Sequence, residues 1–487
     1  MITWDYEDVE EVKGKKIKFV PSWKWLLVHS TIMFKYCRVY FKIMKKDEIL
    51  KILLDWNFWT ADQETGVERE TYKKKLLELL ETNFVVSVIG VRRSGKSTIL
   101  RQVAKELCKK VGKENVLIVN FEDRRFTKPD LRVLDRVFEV YVEEIGPTGK
   151  PFVFLDEVHR VDGWEKWVRT FHELKKAKIV VSGSTSQLIR GELSTLLTGR
   201  HLDLNVFPLN FKEFLKFRNL ELKTGLDILE NETRIKSLLK EYLGWGGYPE
   251  VVLTERFRKE ILQNYFEDIV TRDIVERYGV RKIEEMKTLA KFYLSNTGKY
   301  TTFSSVKKFL ELSKDTIEKF STYFQEVFMI FFLKMFDYSL KNQEIVPRKI
   351  YCIDNGLASA MGFRVSEDRG RLMENLVYLE LMKKSGEVFY WKEYGRAEGR
   401  EVDFLVRDGL RVKRLIQVTY AAGRDEVEPR EIRSLVKAAE LFKRDRPELS
   451  VITWDHEDVE EVGGKKIKFV PLWRWLLNGK FLSGEGR

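Results

Sequence analysis

The chain has 487 residues, of which 44% are hydrophobic and 33% charged, a composition that excludes a disordered or collagen-like chain and predicts about three globular domains. The formal net charge is +12, which permits a nucleic-acid partner without requiring one. No apolar run approaches the ~18 residues that span a bilayer, so no membrane partner is expected. The cysteines Cys37, Cys108 and Cys352 form neither a zinc spacing nor a disulfide framework, and no N-terminal signal pattern is visible; a cytoplasmic location is predicted.

The two ends of the chain carry nearly the same sequence. Residues 2–27 and 452–477 are offset by 450 positions, and only four of the 26 aligned residues differ. The N-terminal copy begins in mid-strand, and Met44 opens a fresh helical pattern. We therefore predict that residues 1–43 are an extraneous duplicate of the C-terminal tail, outside the natural domain set. The alternative is functional: the extra copy takes the C-terminal slot of a neighbouring subunit, as in a domain swap.

A strand, a glycine-containing loop and a helix follow one another between residues 84 and 107. The loop GVRRSGKS fits the phosphate-binding pattern GxxxxGK[ST], in which backbone N–H groups and a helix N-terminus face phosphate oxygens. Lys96 is predicted to reach the β- and γ-phosphates, and the Ser97 hydroxyl to bind Mg²⁺. The predicted nucleotide-binding residues of this loop are Gly90, Arg93, Ser94, Gly95, Lys96, Ser97 and Thr98.

A second apolar strand ends in two acids, about 60 residues after the loop. Asp156 is predicted to hold Mg²⁺, and Glu157 to orient and deprotonate the attacking water. A later strand ends in GSTS, where Ser184 either senses the γ-phosphate or belongs to a turn-forming cluster. With a further strand at 116–121, the alternation of strands and helices predicts a three-layer α/β domain. The predicted cofactors are ATP and Mg²⁺.

Arg200 follows a predicted helix within the run LTGRH. The permanent charge and planar fork of an arginine suit a transferring phosphoryl group, so Arg200 is a candidate arginine finger. A structural salt bridge is the alternative use of the same side chain.

The order of these motifs resembles the archaeal AAA-type P-loop ATPase family. The resemblance runs from Met44 to the C-terminus and rests on GVRRSGKST, FVFLDEVHRVDGWEKWVR, VVSGSTSQLI and LSTLLTGRHLDLNVFPLNFKEFL, followed by WGGYPEVV and YFEDIVTRDI. It implies an AAA-like core at 44–210, a helical lid or linker at 211–285, a winged-helix domain at 286–350 and a PD-(D/E)xK nuclease-like domain at 351–487. Arg200 matches the family's GR motif. The ring assembly of AAA relatives implies a homo-oligomer in which this finger enters the neighbouring subunit's site.

The segment after residue 300 shows a winged-helix order of elements. Two short amphipathic helices, separated by a tight turn at residues 311–313, precede a strand-rich stretch at 327–336. Four lysines on these helices are candidates for contacts with DNA phosphates: Lys307, Lys308, Lys314 and Lys319. The alternative is a small domain that only packs, with its lysines solvated.

The last segment resembles the nuclease fold in the order of its polar residues. A helix predicted to open at Glu374, a strand with Asp403 and a strand with Gln417 match the metal-binding positions, but Thr419 stands where the fold has its lysine. The resemblance therefore implies a degenerate site whose fold now serves binding or assembly. Residual nuclease activity is the alternative.

The combined prediction is a magnesium-dependent ATPase coupled to DNA binding or remodelling, with branched or mobile-element DNA as candidate substrates. The basic excess, the winged-helix pattern and the nuclease-like segment motivate the DNA partner. Two alternatives stay open at this point. One is a nucleotide-dependent regulatory switch or scaffold that acts on protein partners, and the other is a nuclease gated by ATP.

Overall fold

A computed structural model gives the fold of the chain. It describes residues 2–3, 7–12, 15–22, 24–25, 44–184, 199–362, 368–384, 386–393 and 399–477. Among the helices of these ranges, none is both long and apolar enough to cross a bilayer.

The N-terminal duplicate forms a small sheet of three strands: β1 (Ile2–Thr3), β2 (Asp8–Val12) and β3 (Lys15–Pro21). Ile2 pairs in parallel with Val20, and the same pairing joins Ile452 to Val470 at the other end of the chain. The antiparallel pairing of β2 with β3 is repeated there as well. The two copies therefore adopt the same strand register. The origin and role predicted for residues 1–43 stay predictions, and residues 26–43 lie outside the described part of the chain.

The predicted α/β domain with a parallel sheet is confirmed. Its strands are β4 (Val85–Ile89), β5 (Val116–Asn120), β6 (Phe152–Asp156), β7 (Lys178–Gly183) and β8 (His201–Asn205). They lie in the order β5-β6-β7-β4-β8, and all pairings are parallel. The helices around the sheet are α1 (Lys46–Trp56), α2 (Glu70–Leu80), α3 (Lys96–Val111), α4 (Leu131–Glu144) and α5 (Trp164–Glu173).

Helices cover both faces of this sheet. Alternate residues of β4 enter two different cores: Val85 and Ile89 pack with α1, α4 and α5, whereas Val86 and Val88 pack with α2 and α3. A strand that is buried on both faces is mostly apolar, and in β4 every residue except Ser87 is apolar. Parallel strands also place their carboxyl ends at one edge of the sheet, which is where polar residues of successive strands can meet.

A helical segment follows the sheet. Its helices are α6 (Phe211–Phe217), α7 (Gly225–Glu230), α8 (Glu232–Trp245), α9 (Pro249–Leu253) and α10 (Arg258–Asp268). Helix α10 continues directly into π-helical turns at Ile269–Glu276. Such turns are rare in proteins, and those that occur are often found at functional sites. A lid role for residues 211–285 stays a prediction.

The next segment alternates short helices with a three-stranded antiparallel sheet of order β10-β11-β9. The elements in chain order are α11 (Ile283–Ser295), β9 (Tyr300–Thr301), α12 (Phe303–Phe309), α13 (Lys314–Glu326), β10 (Ile330–Leu333), α14 (Leu340–Ile345), β11 (Arg348–Cys352) and α15 (Asn355–Met361). Thr302 and Ser313 cap α12 and α13 with their hydroxyls, which fixes the turn between the two helices. The assignment of this segment as a winged helix stays a prediction.

The C-terminal segment contains a six-stranded mixed sheet of order β12-β13-β14-β15-β17-β16. Its elements are α16 (Arg369–Lys383), β12 (Glu387–Lys392), β13 (Glu401–Asp408), β14 (Arg411–Val418), α17 (Pro429–Leu441), β15 (Glu448–Thr453), β16 (Asp458–Val462), β17 (Lys465–Pro471) and α18 (Leu472–Leu477). The predicted opening of a helix at Glu374 is wrong. Helix α16 begins at Arg369, because the Asp368 carboxylate caps it by accepting from the Arg371 N–H.

The hydrophobic cores do not stop at the predicted domain boundaries. Helices α6 and α8 share one core with α16, α18 and the C-terminal sheet, represented by Leu239, Leu376 and Trp473. Helix α10 and its π-helical continuation share another with α11, α13 and β11, represented by Phe266 and Ile350. The helical segment therefore packs against both later segments.

Candidate active site

The glycine-containing loop joins the carboxyl end of β4 to the N-terminus of α3. A side chain at Gly90 would place its Cβ 1.9 Å from the Val206 carbonyl oxygen, so the strand above leaves room only for glycine. Gly95 sits just before the helix with φ 95°, in the left-handed region that glycine adopts without strain. The first N–H groups of α3 lack partners within the helix and are available to an anion. Ser94 is buried in this loop, and Thr98 lies half-buried in the first turn of α3.

Lys96 is buried at the centre of this loop. Its ammonium donates to the carbonyl oxygens of Gly90 at 3.0 Å and Val91 at 3.3 Å. It also lies 3.9 Å from Oε1 of Glu157, the residue directly after β6. The structure therefore brings the predicted phosphate-binding lysine and the predicted general base to the same sheet edge.

Asp156 ends β6 beside Ser97 and Ser182. Its carboxylate accepts a hydrogen bond from the Ser182 hydroxyl, and the Ser97 hydroxyl lies nearby. Burial, followed by the negative charge of Glu157, raises the pKa of Asp156 to about 6. A hydroxyl and a carboxylate side by side are oxygen donors of the kind Mg²⁺ prefers, so Ser97 and Asp156 fit the predicted ion.

Glu157 carries two strained features. Its backbone is left-handed, with φ 52°, which is uncommon for a residue other than glycine. Its Oε2 is buried and has no hydrogen-bond partner among the described residues, although Nδ1 of His159 is 3.3 Å away. Burial raises the pKa of Glu157, which brings the carboxylate closer to the basicity of a useful proton acceptor. A buried carboxylate oxygen with a free lone pair suits hydrogen bonding to a water molecule.

A buried network ties the loop to the π-helical turns. The Arg92 guanidinium donates to both carboxylate oxygens of Asp273, at 3.0 to 3.2 Å, and to Glu122 at 3.0 Å. The Ser184 hydroxyl donates to the same Asp273 carboxylate at 3.0 Å. Ser184 and Asp156 therefore lie at the same sheet edge as the loop, whereas the choice between a phosphate-sensing and a turn-forming role for Ser184 stays open. On the other side of Arg92, Arg93 is largely exposed, and its guanidinium lies 3.9 Å from Asp268.

A second buried arginine supports the loop from behind. Arg69 precedes α2 with its side chain 1% exposed, and it donates to the Ser94 carbonyl oxygen at 2.7 Å. Its guanidinium also forms a two-point ion pair with Glu213, at 2.8 and 2.9 Å. A buried pair with this geometry fixes the position of the loop relative to α6.

Sequence reasoning missed Arg92, Ser182 and Asp273. Ser182 carried a signal, since it is a polar residue inside an otherwise apolar strand. Arg92 and Asp273 are separated by 181 residues, and no local pattern predicts such a contact.

Arg200 lies at the opposite edge of the sheet. Its carbonyl oxygen accepts from the N–H of Val85, at the start of β4, whereas the loop follows the end of that strand. Five strand residues at ~3.3 Å each separate the two edges by roughly 15 Å. Within one chain Arg200 therefore forms the structural salt bridge, to Glu173 on α5. Its action in a neighbouring site stays a prediction.

The comparisons with known proteins agree with this site. Residues 82–215 match the family described as an AAA domain. The uncharacterized protein MJ1544 of Methanocaldococcus jannaschii is 33% identical over 458 residues, which is 91% of this chain and 98% of that protein. The chain belongs to a P-loop ATPase family.

The similarity to this ATPase family extends beyond the AAA domain. Residues 236–369 and 369–475 match two domains of unknown function, DUF8612 and DUF4143. An uncharacterized protein of Haemophilus influenzae is 29% identical over 418 residues, covering 84% of this chain and 98% of that protein. Among solved structures, the Walker-type ATPase paby2304 of Pyrococcus abyssi aligns with 63% of this chain and 99% of its own, at 17% identity and a TM-score of 0.39.

In the C-terminal part of the ATPase, the three predicted polar residues come together. Glu374 on α16 and Asp403 on β13 both contact the ammonium of Lys349, and the Asp403 N–H donates to Oε1 of Gln417 at 3.4 Å. Thr419 lies near Glu431 on α17. Burial and the charge of Asp403 raise the pKa of Glu431 to about 7.

The four lysines predicted to contact DNA are all exposed. They lie on two helices of the segment from α11 to α15, which we call the middle segment. Lys307 and Lys308 lie on α12, and Lys314 and Lys319 lie on α13. Lys314 pairs with Glu318 at 3.4 Å. Helix α13 also carries Asp315 and Glu326, so its surface is of mixed charge.

Proposed function

We propose that the protein is a magnesium-dependent ATPase whose turnover is coupled to the binding or remodelling of DNA. The observation that carries the ATPase part is the meeting of Lys96, Asp156 and Glu157 at one sheet edge, with one carboxylate oxygen of Glu157 left without a partner among the described residues. Three chemically different groups then serve one reaction: a cation, a metal ligand and a base.

The residues divide the reaction among them as follows. The loop from Gly90 to Thr98 holds the phosphates with backbone N–H groups, and Lys96 neutralises their charge. Ser97 and Asp156 hold Mg²⁺, which when bound offsets charge on the β- and γ-phosphates. Glu157 orients a water molecule and accepts its proton. Ser184 senses the γ-phosphate in this proposal, and its link to Arg92 through Asp273 supports that role.

Two substitutions separate nucleotide binding from hydrolysis. Glu157→Gln keeps the shape of the side chain but removes the base, so turnover should fall by about 10² to 10⁴ while ATP still binds. Lys96→Ala should lose both. Glu139→Gln, on the outer face of α4, is the matched control and should keep wild-type turnover. Full hydrolysis by either site variant would contradict the assigned roles.

Arg200 is proposed to complete the site of a neighbouring subunit in a homo-oligomer. Its distance from the loop of its own chain supports this use. Arg200→Ala should lose hydrolysis and keep nucleotide binding, whereas Glu173→Gln removes the same salt bridge and should stay active. Mixing Arg200→Ala with Glu157→Gln protein should restore part of the turnover, because the mixed assembly pairs an intact base with an intact finger. Mixtures as inactive as their parents would contradict action between subunits.

The DNA part of the proposal rests on the middle segment. Its two capped helices precede an antiparallel sheet and expose four lysines, an order and a charge that suit contact with a phosphate backbone. Replacing all four by alanine should weaken DNA binding and lower the slope of log affinity against log salt by about one for each lysine that contacts a phosphate. Lys109→Ala with Lys110→Ala, in the last turn of α3, is the control. Absence of DNA binding at low salt would refute this part.

A second candidate function is a nucleotide-dependent switch acting on protein partners. The observation that favours it is the direct contact between the phosphate-binding loop and the π-helical turns through Arg92 and Asp273. A phosphate that draws Arg92 away would release Asp273, and with it the helical segment. A slow hydrolysis rate that no DNA changes would favour this function over DNA remodelling.

A further inference from the structure

Strand β11 is the central strand of the middle segment's sheet, and it packs against helix α16 of the C-terminal domain. Lys349 and Tyr351, two residues apart on this strand, both reach the carboxylate of Glu374 on α16, at 2.9 and 2.6 Å. The N–H of the next residue, Cys352, donates to Oδ1 of the Asn375 side chain at 2.9 Å, and the Cys352 carbonyl oxygen accepts from Nδ2 of Asn375 at 3.1 Å. This side of β11 therefore bonds to α16 through a buried polar seam.

Lys349 lies at the centre of three carboxylates. Its ammonium is 2.7 Å from Glu401 Oε1, 2.8 Å from Asp403 Oδ1 and 2.9 Å from Glu374 Oε1, and its side chain is 3% exposed. An ammonium has three N–H donors, and three carboxylates are within reach of them. The carboxylates outweigh the effect of burial and raise the pKa of Lys349 well above its usual value, so the charge is kept.

A divalent cation does not fit this arrangement. Mg²⁺ requires six oxygen ligands at about 2.0–2.1 Å, and the space that Glu374 and Asp403 enclose holds Nζ instead. Oδ2 of Asp403 accepts from the Val418 N–H at 3.0 Å. A second cation placed a few ångströms from the ammonium would also be repelled by it.

We infer that Lys349 is the resident cation of the carboxylate cluster formed by Glu374, Glu401 and Asp403, and that it fastens the middle segment to the C-terminal domain in place of a metal ion. Lys349 comes from a strand outside the six-stranded sheet. It therefore differs from the lysine of the nuclease fold, whose position Thr419 occupies. The cluster then acts as a buried ionic joint, and the C-terminal domain serves binding or assembly without metal-dependent cleavage of DNA. This inference is independent of the proposed ATPase activity.

Binding of Mn²⁺ to the full chain without nucleotide tests the inference. Wild type and Asp403→Asn should bind the same number of Mn²⁺ ions with the same affinity, measured by electron paramagnetic resonance, because Asp403 is already paired with Lys349. Any Mn²⁺ site present in wild type and missing in Asp403→Asn would overturn the inference. This comparison does not depend on a Lys349 variant.

Removal of the lysine supplies the complementary test. Lys349→Ala leaves the three carboxylates without their shared cation, so it should lower the unfolding temperature, and millimolar Mn²⁺ should recover part of the loss. The double variant Lys349→Ala with Asp403→Asn should show no such recovery. Lys392→Ala is the matched control, since that lysine stacks on Tyr300 close by and forms no ion pair to Asp403 among the described residues. Mn²⁺-dependent cleavage of supercoiled DNA by wild type that vanishes in Lys349→Ala would also overturn the inference.

Discussion

Glu157 combines a left-handed backbone, a buried carboxylate and an oxygen without a hydrogen-bond partner among the described residues. Each of these features costs folding free energy, and such strain persists where the surrounding structure imposes it and function uses it. The N–H of Glu157 donates to the Ser182 hydroxyl, which itself donates to Asp156. One serine therefore positions the proposed metal ligand and the proposed base together.

The lowered pKa of His159 leads us to expect that the protein loses stability in acid. Burial, followed by the charges of Arg277 and Arg160, lowers the pKa of His159 from 6.5 to about 4. Between these values the unfolded chain binds a proton that the folded chain does not, so stability should fall as pH decreases from about 6.5 to about 4. The full difference corresponds to about 3 kcal/mol.

Urea unfolding of wild type and His159→Gln between pH 7 and pH 5 measures this contribution. The wild type should lose more stability than the variant over this range, because glutamine does not titrate. His172→Gln on α5 controls for the loss of a histidine outside the site. Parallel pH curves for wild type and His159→Gln would contradict the prediction.

The loop after β4 depends on a close approach between backbones. Gly90→Ala should abolish ATP binding, because its Cβ would overlap the Val206 carbonyl oxygen at 1.9 Å and displace the loop. Gly244→Ala is the control, since a Cβ there meets no atom within 4 Å among the described residues and the site lies in α8. In a helix that change stabilises by about 0.5–1 kcal/mol. Isothermal titration with ATP distinguishes the two, and normal binding by Gly90→Ala would refute the loop geometry.

Two substitutions, one in the π-helical turns and one just before them, compare a buried ion pair with an exposed one. Asp273→Asn removes one charge from a buried ion pair with Arg92, so the nucleotide-free protein should be destabilised by up to about 3–5 kcal/mol. Asp268→Asn removes a longer and more exposed contact with Arg93, worth about 0–1 kcal/mol. Thermal unfolding without nucleotide compares them. Equal shifts for the two variants would show that the Arg92 contact does not hold the segment.

Local patterns predicted the strands of the parallel sheet well, because β4, β6 and β7 are mostly apolar and the glycine loop has a fixed spacing. They placed the start of α16 five residues late, at Glu374. Gly370 weakens a helical pattern read from the sequence, yet in the first turn, behind the Asp368 cap, a glycine costs little. The start of α16 is therefore set by the Asp368 cap rather than by the spacing of its apolar residues.

Contacts between residues that are far apart in the chain could not be predicted from local sequence patterns. Lys349 reads as an ordinary strand lysine, and only the packing of β11 against α16 brings it to Glu374 and Asp403. Arg69 likewise reaches Glu213 across 144 residues. Ion pairs of this kind depend on how whole segments pack, so the resemblance to the nuclease fold named Glu374 and Asp403 but not their partner Lys349.

At the scale of the whole molecule, the duplicated N-terminus gives a simple prediction. A chain that starts at Met44 should form an assembly with the same number of subunits in light scattering, and should have the same unfolding temperature and ATPase rate as the full chain, because the C-terminal copy already fills its place beside β14. A smaller assembly after truncation would contradict this and support a domain swap between subunits.

Phosphate release from ATP tests the central claim most directly. The full chain is assayed with Mg²⁺ alone and with single-stranded, duplex or four-way-junction DNA, beside Lys96→Ala as the blank. The account predicts turnover above the blank that at least one form of DNA accelerates. Release no faster than that of Lys96→Ala under every condition would contradict the assignment of this site as an ATPase, and turnover that no DNA changes would contradict its coupling to DNA.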